Sequence, residues 1–317
     1  MEQTLKILLD KLHENAEMPA QASLYHFSNL DAEDAARVQK VWESLPIELR
    51  QRMVAKLMRM AEVDFELNFG AIFRLGLEDE DAQVRKLSIE GLWEDEDVRL
   101  VSRLVELLQE DESAAVRAAA ATSLGRFILL GELEEIRPDP FTLAYETTLA
   151  ACQDLEEDIE VRRRALESVS YIGDQVVTQL IGQAYAAPEE KLHASAIFAM
   201  GRSLDPRWAS QVQKNLFNSN PELRCEAAKA CGKLQLREAT LELEDLADDV
   251  DFEVQEAALW ALGQIGGDKA CEILEHYCDV EDEAVRTAAK AAMNELEFLH
   301  GNLSELLTTL VQKPPGK

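Results

Sequence analysis

A spacing of thirty-one residues recurs along the chain and constrains its fold more than any other feature. An apolar residue followed by a polar one marks each unit, and successive pairs lie 32, 45, 31, 31, 31 and 31 residues apart. The pairs are Val84-Arg85, Val116-Arg117, Val161-Arg162, Leu192-His193, Leu223-Arg224, Val254-Gln255 and Val285-Arg286. Four consecutive identical steps indicate an internal repeat, and a period of this length is typical of solenoids.

Other positions repeat in phase with the apolar residue of each pair, which we number position 0. Position 4 is small, position 8 is apolar, and both share one helical stripe with position 0, which is predicted to face a core. Position 9 is glycine in four units, and we expect these residues to let neighbouring helices approach closely: Gly125, Gly201, Gly232 and Gly263. Position −3 is polar in every unit and predicts helix N-caps at Asp81, Ser113, Asp158, Glu189, Asn220, Asp251 and Asp282.

A second apolar-periodic helix follows each glycine, so each unit is predicted to be a pair of helices. Such a pair cannot bury its apolar face alone, and stacking of successive pairs buries a continuous core. The sequence therefore predicts an all-α solenoid. The position-1 arginines are expected to pair with acids of adjacent units: Arg85, Arg117, Arg162, Arg224 and Arg286.

Two segments carry a family resemblance: DIEVRRRALESVSYIGDQVVTQLI (158–181) and DFEVQEAALWALGQIGGDKACEIL (251–274). They resemble the HEAT-like repeats of the phycobilisome-lyase type, which implies a right-handed α-α superhelix, the HEAT-like α-solenoid. The whole chain also resembles a bacterial family of uncharacterised HEAT-repeat proteins through LYHFSNLDAED, WESLP, IEGLWEDED and FAMGRSLDPRWA. HEAT-like repeats serve many unrelated tasks, so the resemblance points to a fold and leaves the function open.

The chain is divided into three regions according to where the repeat register holds. Residues 1–78 are predicted to form a helical N-terminal cap with a degenerate repeat at Leu49-Arg50, Pro46 lying in a first helical turn. Helices are predicted over 2–14, 31–44, 46–61 and 65–77. Residues 79–300 hold the repeats, and 301–317 are expected to form a closing helix over 302–312 and a frayed tail over 313–317.

The 45-residue step contains about fourteen extra residues, which fall around 131–140 between the two helices of one unit. Insertions in solenoids map to loops on one face, often the binding face. A tolerated surface loop is the favoured interpretation, since long insertions cost little free energy.

Charge and cysteine content restrict the partners and the compartment. The chain has 61 acidic and 32 basic residues, for a formal net charge of −29. This charge repels polyanions, so neither nucleic acid nor an anionic membrane is the expected partner. No apolar run reaches the length of a membrane span, and the amphipathic N-terminus is unlike a signal peptide. Five cysteines without CxxC spacing predict free thiols in a cytoplasmic protein.

No catalytic constellation stands out, and no metal or other cofactor is expected. Deoxyhypusine hydroxylases bind iron through paired His-Glu motifs, and here only His13-Glu14 has that form, outside the repeats. Nucleotide-binding and nucleophile-elbow motifs are absent from the sequence. Two further functions stay open. One is a lyase-like or chaperone-like subunit acting on a partner protein or its chromophore. The second is suggested by a resemblance to HEAT-like DNA glycosylases, against which the net charge counts.

The outward stripe at positions 2, 6 and 10 of the repeated helix is the candidate binding surface, because the family resemblance implies that this helix lines a concave face. The candidate residues are Arg126, Arg163, Tyr171, Phe198, Arg202, Lys229, Lys233 and Trp260. Aromatic residues and arginine are favoured at protein interfaces. The stripe therefore predicts a scaffold that binds an acidic peptide or helix, while pairing with acids or packing between repeats is the competing interpretation.

Overall fold

The computed structural model describes residues 2–301, with side chains from 4 to 299. These residues form eighteen α-helices and no β-strand, which confirms the predicted all-α solenoid. Contacts divide the chain into two units, Met1–Val169 and Ser170–Lys317. The predicted closing helix (302–312) and frayed tail (313–317) lie outside the described residues.

The first unit contains ten helices. They are α1 (Glu2–Asn15), α2 (Gln21–Leu24), α3 (Ala32–Trp42), α4 (Ile47–Val63), α5 (Gly70–Gly76), α6 (Ala82–Gly91), α7 (Leu100–Glu110), α8 (Ala114–Glu132), α9 (Pro138–Gln153) and α10 (Ile159–Val169). The helices that carry positions 0, 4 and 8 are named anchor helices. In this unit the anchor helices α6, α8 and α10 pack in succession, and α4 packs on α6 in the same way.

The second unit contains eight helices. They are α11 (Gln175–Ala186), α12 (Glu190–Arg202), α13 (Ala209–Asn215), α14 (Pro221–Lys233), α15 (Thr240–Leu246), α16 (Phe252–Ile265), α17 (Asp268–Tyr277) and α18 (Glu283–Leu296). The anchor helices α12, α14, α16 and α18 pack in succession, and α13, α15 and α17 pair with them. Each unit thus stacks helix pairs as the repeat predicts.

The stripe at positions 0, 4 and 8 forms the core as predicted. Every residue at these positions is buried except Met293, which is half-buried. The predicted N-caps are confirmed by side-chain hydrogen bonds at Asp81, Asp158, Asn220, Asp251 and Asp282. Ser113 and Glu189 are also the N-cap residues of α8 and α12, but neither side chain makes the expected cap hydrogen bond within the described residues.

Arginines at position 1 join consecutive inter-helix loops, as predicted for Arg85, Arg117 and Arg224. Their guanidinium groups each donate two hydrogen bonds to a carboxylate in the loop before the next anchor helix, namely Asp111, Glu157 and Asp249. Each also donates to a carbonyl five or six residues before it in its own loop.

The remaining arginines at position 1 differ in how many of these contacts they make. Arg50 on α4 repeats it by pairing with Asp79 and donating to the carbonyl of Leu45. Arg286 donates to the carbonyls of Val280 and Glu281 in its own loop. The repeat that follows Arg162 belongs to the second unit, so its pairing stays a prediction.

The N-terminal region differs from the predicted helices in three places. Helix α5 begins at Gly70 rather than at residue 65, because Asp64 and Asn68 accept hydrogen bonds from the backbone N–H groups of Glu66 and Gly70 and hold a turn there. Pro46 is the N-cap of α4 rather than its first helical residue. The short helix α2 has no counterpart among the predicted helices.

The predicted inserted loop around 131–140 is wrong, because most of the extra residues lengthen two helices. Helix α8 has 19 residues and α9 has 16, and only residues 133–137 connect them. The packing explains this result, since Phe127 and Ile128 are fully buried and extend the apolar surface of α8. Gly131 lies directly against the ring of Phe141, which brings the two longer helices together.

Helix α8 is also long and apolar enough, by length and composition alone, to span a membrane. This finding corrects the expectation that no segment of the chain reaches that length. Half of its apolar stretch is buried inside the protein, and the helix packs against α6, α7, α9 and α10. These contacts make α8 a core helix of the first unit.

Candidate partner-binding surface

Six of the eight predicted site residues lie in the second unit: Tyr171, Phe198, Arg202, Lys229, Lys233 and Trp260. Phe198 and Arg202 are on α12, and Lys229 and Lys233 are on α14. Trp260 is on α16. Arg126 and Arg163 lie in the first unit and are described separately below.

Four of these residues form a cluster that we call the cation–π stack: Tyr171, Phe198, Arg202 and Lys233. The guanidinium carbon of Arg202 lies 4.4 Å from the ring centre of Tyr171 and 4.3 Å from that of Phe198. The Nζ of Lys233 lies 4.7 Å from the centre of the Phe198 ring. Each such contact contributes about 0.5–1 kcal/mol when exposed and more when desolvated. The stack therefore holds two cations at fixed positions on a half-buried aromatic surface.

The repeat itself places these side chains. An added Cβ at Gly201 would come within 2.8 Å of the Ala230 Cα, so only glycine allows α12 and α14 to approach this closely. The same approach brings Lys233 over Phe198 on the neighbouring helix. One unit further along, an added Cβ at Gly232 would lie 2.8 Å from the Trp260 ring. The position-9 glycines thus set the spacing of the candidate site.

Lys233 also borders a second feature, the Trp260 groove, which lies between α14 and α16 and has a volume of about 480 Å³. Its lining residues are Cys225, Lys229, Lys233, Glu253, Glu256, Ala257 and Trp260. The groove contains two ammonium groups and two carboxylates beside one indole ring. Its charge is therefore mixed, whereas the sequence predicted a surface that binds an acidic peptide or helix.

The two lysines of the groove have different electrostatic surroundings. Burial, together with the positive charge of Arg202, lowers the pKa of Lys233. Burial opposes the charge of Lys229 too, but the Glu226 carboxylate, 3.0 Å from its Nζ, raises the pKa of Lys229 above the ordinary value. Nearby carboxylates therefore offset burial less at Lys233 than at Lys229. A carboxylate supplied by a ligand would stabilise the charged form of Lys233.

Four residues of the groove are absent from the set that the sequence predicted, namely Cys225, Glu253, Glu256 and Ala257. Glu253 lies at position −1, outside the outward stripe, and nothing in the repeat indicates that it borders a groove. Cys225 lies on that stripe, but a cysteine there carries no signal for partner binding. Its thiol is buried and approaches the Glu253 carbonyl at 3.6 Å. Burial raises the pKa of Cys225, so this thiol is a packing group rather than a nucleophile.

The two predicted residues of the first unit have structural contacts. Arg126 donates through Nη1 to the carbonyls of Leu92 and Trp93 beyond the end of α6, and burial lowers its pKa. Arg163 forms ion pairs with Glu160 at 3.3 Å and Glu167 at 3.7 Å on its own helix. For Arg163 the competing interpretation, pairing with acids, therefore applies, although the acids belong to the same helix rather than to a neighbouring repeat.

The family comparison agrees with this architecture. The family model for HEAT repeats matches residues 72–138 and 209–294. The chain is a HEAT-like repeat protein. The matched ranges include helices of both units, and the second range contains Lys229, Lys233 and Trp260. No curated protein sequence matches this HEAT-like repeat protein.

The chain is similar to several solved structures at low identity. The complex of CpcE and CpcF of phycocyanin lyase from Nostoc sp. is 19% identical, covers 88% of this chain and 98% of that chain, and has a TM-score of 0.52. A designed armadillo repeat protein is 17% identical, covers 62% of this chain and 99% of its own, and has a TM-score of 0.40. Human deoxyhypusine hydroxylase is 16% identical, covers 94% and 98%, and has a TM-score of 0.36. At 19% identity the likeness to the CpcE and CpcF complex concerns the fold alone.

Proposed function

We propose that this HEAT-like repeat protein is a non-catalytic scaffold that binds a partner protein through the cation–π stack and the Trp260 groove. One observation carries the proposal: Arg202 and Lys233 are held on aromatic rings at 4.3 Å and 4.7 Å in a chain of formal net charge −29. Fixed cations beside half-buried aromatic rings are typical of protein-binding hot spots. An acidic peptide or helix is the partner that this arrangement fits.

The carboxylates of the groove refine this partner. Glu253 and Glu256 line the side of the Trp260 groove that belongs to α16, opposite Lys229 and Lys233 on α14. A partner segment that places an acid over α14 and a basic or polar residue over α16 would match both sides. We also propose a cytoplasmic location, since five free cysteines fit a reducing compartment.

The proposal is tested by affinity capture from the native host with the immobilised protein and quantitative mass spectrometry. The double variant Arg202→Gln/Lys233→Gln removes both cations of the stack. The matched control Lys214→Gln/Lys290→Gln removes two exposed lysines of the same unit and gives the same change in net charge. Both variants are first compared with the native protein by circular dichroism and thermal melting.

We expect a captured protein that is retained by the native chain and the control but lost from the stack variant, because that variant removes both cations of the stack and the control leaves them in place. Capture that is unaffected by Arg202→Gln/Lys233→Gln would refute the stack as the binding surface. Equal loss from both variants would point to a non-specific charge effect and would refute it as well.

A second candidate is a lyase-like or chaperone-like subunit acting on a partner protein or its chromophore. The observation that favours this candidate is the fold likeness to the CpcE and CpcF complex, which spans 88% of this chain. The test is the absorption spectrum of the purified protein mixed with a free linear tetrapyrrole. A red-shifted, protein-bound band would support this function, and an unchanged spectrum would exclude an action on the free chromophore.

A further inference from the structure

A second groove, in the first unit, is lined by three cations and by no carboxylate. It lies between the segment from residue 18 to residue 24, the anchor helix α4 and the start of α6, and has a volume of about 500 Å³. Its lining includes Arg52, Lys56 and Arg59 on α4. A fifth of the chain is acidic, with 61 Asp and Glu among 317 residues, so a groove without one is unusual here. We call it the basic groove.

These three cations are not neutralised by the protein. Neither Arg52, Lys56 nor Arg59 forms an ion pair with a carboxylate among residues 4–299, and Arg59 only donates through Nε to the carbonyl of Ala55 at 3.1 Å. Arg50, on the same helix, is paired with Asp79 at 2.9 Å and Glu80 at 2.8 Å. Asp79 and Glu80 are thus used by the buried arginine, and no carboxylate lines the groove beside its three cations.

The spacing of the cations fits an elongated ligand. They occur at i, i+4 and i+7 on one face of α4, which places them along about 10 Å of helix at 1.5 Å per residue. Arg52 and Arg59 are exposed at the two ends, and Lys56 is half-buried between them. Apolar groups line the same groove, among them Met18, Leu24 and Leu87. A helix with carboxylates at the same spacing and small apolar residues between them would match both features.

We propose that the basic groove is a docking site for an acidic helical segment of a partner protein. Nucleic acid matches the groove less well, because the net charge of −29 repels a long polyanion whose phosphates extend beyond the groove. A second copy of this chain also has a net charge of −29, so the two copies would repel each other and this occupant is disfavoured. The groove lies wholly in the first unit, so this site is independent of the cation–π stack.

The test uses the full chain and a fluorescein-labelled fifteen-residue alanine-based peptide with three Glu residues spaced four and three positions apart. A matched peptide carries Gln in place of each Glu. Binding is measured by fluorescence anisotropy at low and at physiological salt. The groove variant is Arg52→Gln/Lys56→Gln/Arg59→Gln. The control variant, Lys214→Gln/Arg237→Gln/Lys290→Gln, removes three exposed cations of the second unit and has the same net charge.

We expect the Glu peptide to bind the native chain, to weaken at higher salt, and to bind the groove variant at least about tenfold more weakly. The control variant should bind within about twofold of the native chain, and the groove substitutions should cause the same loss whether or not Arg202 and Lys233 are also changed to Gln. The last comparison separates this site from the stack, because a failure of the stack proposal leaves the peptide result unchanged.

Four outcomes would overturn the proposal. The first is a Glu peptide that does not bind, or that binds no better than the Gln peptide. The second is equal binding of the Glu peptide to the groove and control variants. The third is a fifteen-nucleotide single-stranded DNA that competes for the groove more strongly than the peptide, which would assign it to nucleic acid. The fourth is a dimer in sedimentation that the groove variant abolishes, which would assign the groove to a second copy.

Discussion

Arg224 donates two hydrogen bonds to the carboxylate of Asp249, 2.7 Å from Nε and 2.8 Å from Nη2. Its Nη1 donates to the carbonyls of Asn218 and Ser219 in the preceding loop. Asp249 in turn accepts from the backbone N–H of Asp251 at 2.9 Å. The Arg224 guanidinium therefore links two successive inter-helix loops by hydrogen bonds. Removal of Arg224 should weaken the stacking of α14 on α16.

The first prediction is that Arg224→Ala lowers the free energy of unfolding by about 2–3 kcal/mol, because it leaves a half-buried carboxylate without its partner. The side chains of Arg224 and Asp249 are only 14% and 9% exposed. The control is Arg207→Ala, whose pair with Asp205 involves a guanidinium that is 59% exposed and should contribute less than about 0.5 kcal/mol. Urea denaturation of both variants checks the difference, and equal losses would contradict the prediction.

The second prediction concerns pH. Hydrogen bonds from Arg224 hold the pKa of Asp249 below its ordinary value of 3.8. A carboxylate whose pKa is lowered on folding adds stability that is fully present above 3.8 and is lost as the pH falls through the folded pKa. The stability gap between the native chain and Asp249→Asn should therefore be constant from about pH 7 to about pH 5 and should shrink toward about pH 3. A gap that widens on acidification would show the opposite linkage.

The arginine–carboxylate pairs between successive inter-helix loops show what the sequence could and could not predict. The apolar residue followed by arginine is visible in the sequence, and burial of Val84 and pairing of Arg85 follow from the repeat. The helix pairs could be predicted because their apolar period is local. The inserted residues around Gly131 were misassigned, because whether a polar stretch extends a helix depends on a partner, here Phe141, that arrives from the next helix.

The candidate site could be predicted only as a set of residues on one stripe. The periodicity selected Phe198, Arg202 and Lys233, but it could not show that the two cations lie on one ring. The basic groove was missed because α4 lies in the region where the repeat register is lost. Its unusual feature, cations without carboxylate partners, depends on where the acids of other segments lie in space.

The third prediction uses a repeat in which neutral residues replace the arginine–carboxylate pair that joins successive loops. His193 occupies position 1 where Arg85 and Arg224 stand in other units, and Asn218 occupies the position of Asp249. Asn218 still accepts the backbone N–H of Asn220 at 3.0 Å, so its geometry matches the charged units. The His193 ring instead packs against the Tyr185 ring in a tilted arrangement, with ring centres 4.4 Å apart, and burial lowers the pKa of His193.

We expect the double variant His193→Arg/Asn218→Asp to install the missing ion pair. Each single change should be neutral or destabilising, because it introduces one charge without its partner. The coupling energy between the two changes should be favourable by about 1–2 kcal/mol in a double-mutant cycle measured by urea denaturation. Additive effects within about 0.3 kcal/mol would show that the two positions do not meet in this unit.

The fourth prediction concerns a residue in the left-handed backbone region. Gln235 follows α14 with φ of 51°, a conformation that glycine adopts without steric cost. Gln235→Gly should therefore raise the free energy of unfolding by about 0.5 kcal/mol, the strain relieved being partly offset by greater freedom of the unfolded chain. Gln235→Ala keeps the Cβ and serves as the control without a gain. A loss of stability in the glycine variant would refute the assigned strain.

The fifth prediction compares two glycines that both lie inside helices of the second unit. An added Cβ at Gly232 would lie 2.9 Å from the Ala261 Cα and 2.8 Å from the Trp260 ring, whereas at Gly182 the nearest atom is 3.9 Å away. Gly232→Ala should destabilise the protein by about 1–3 kcal/mol, because a backbone atom of α16 must move. Gly182→Ala should stabilise it by up to about 1 kcal/mol through helix propensity. Opposite signs in thermal and urea denaturation would confirm that Gly232 sets the distance between α14 and α16, and therefore the width of the Trp260 groove.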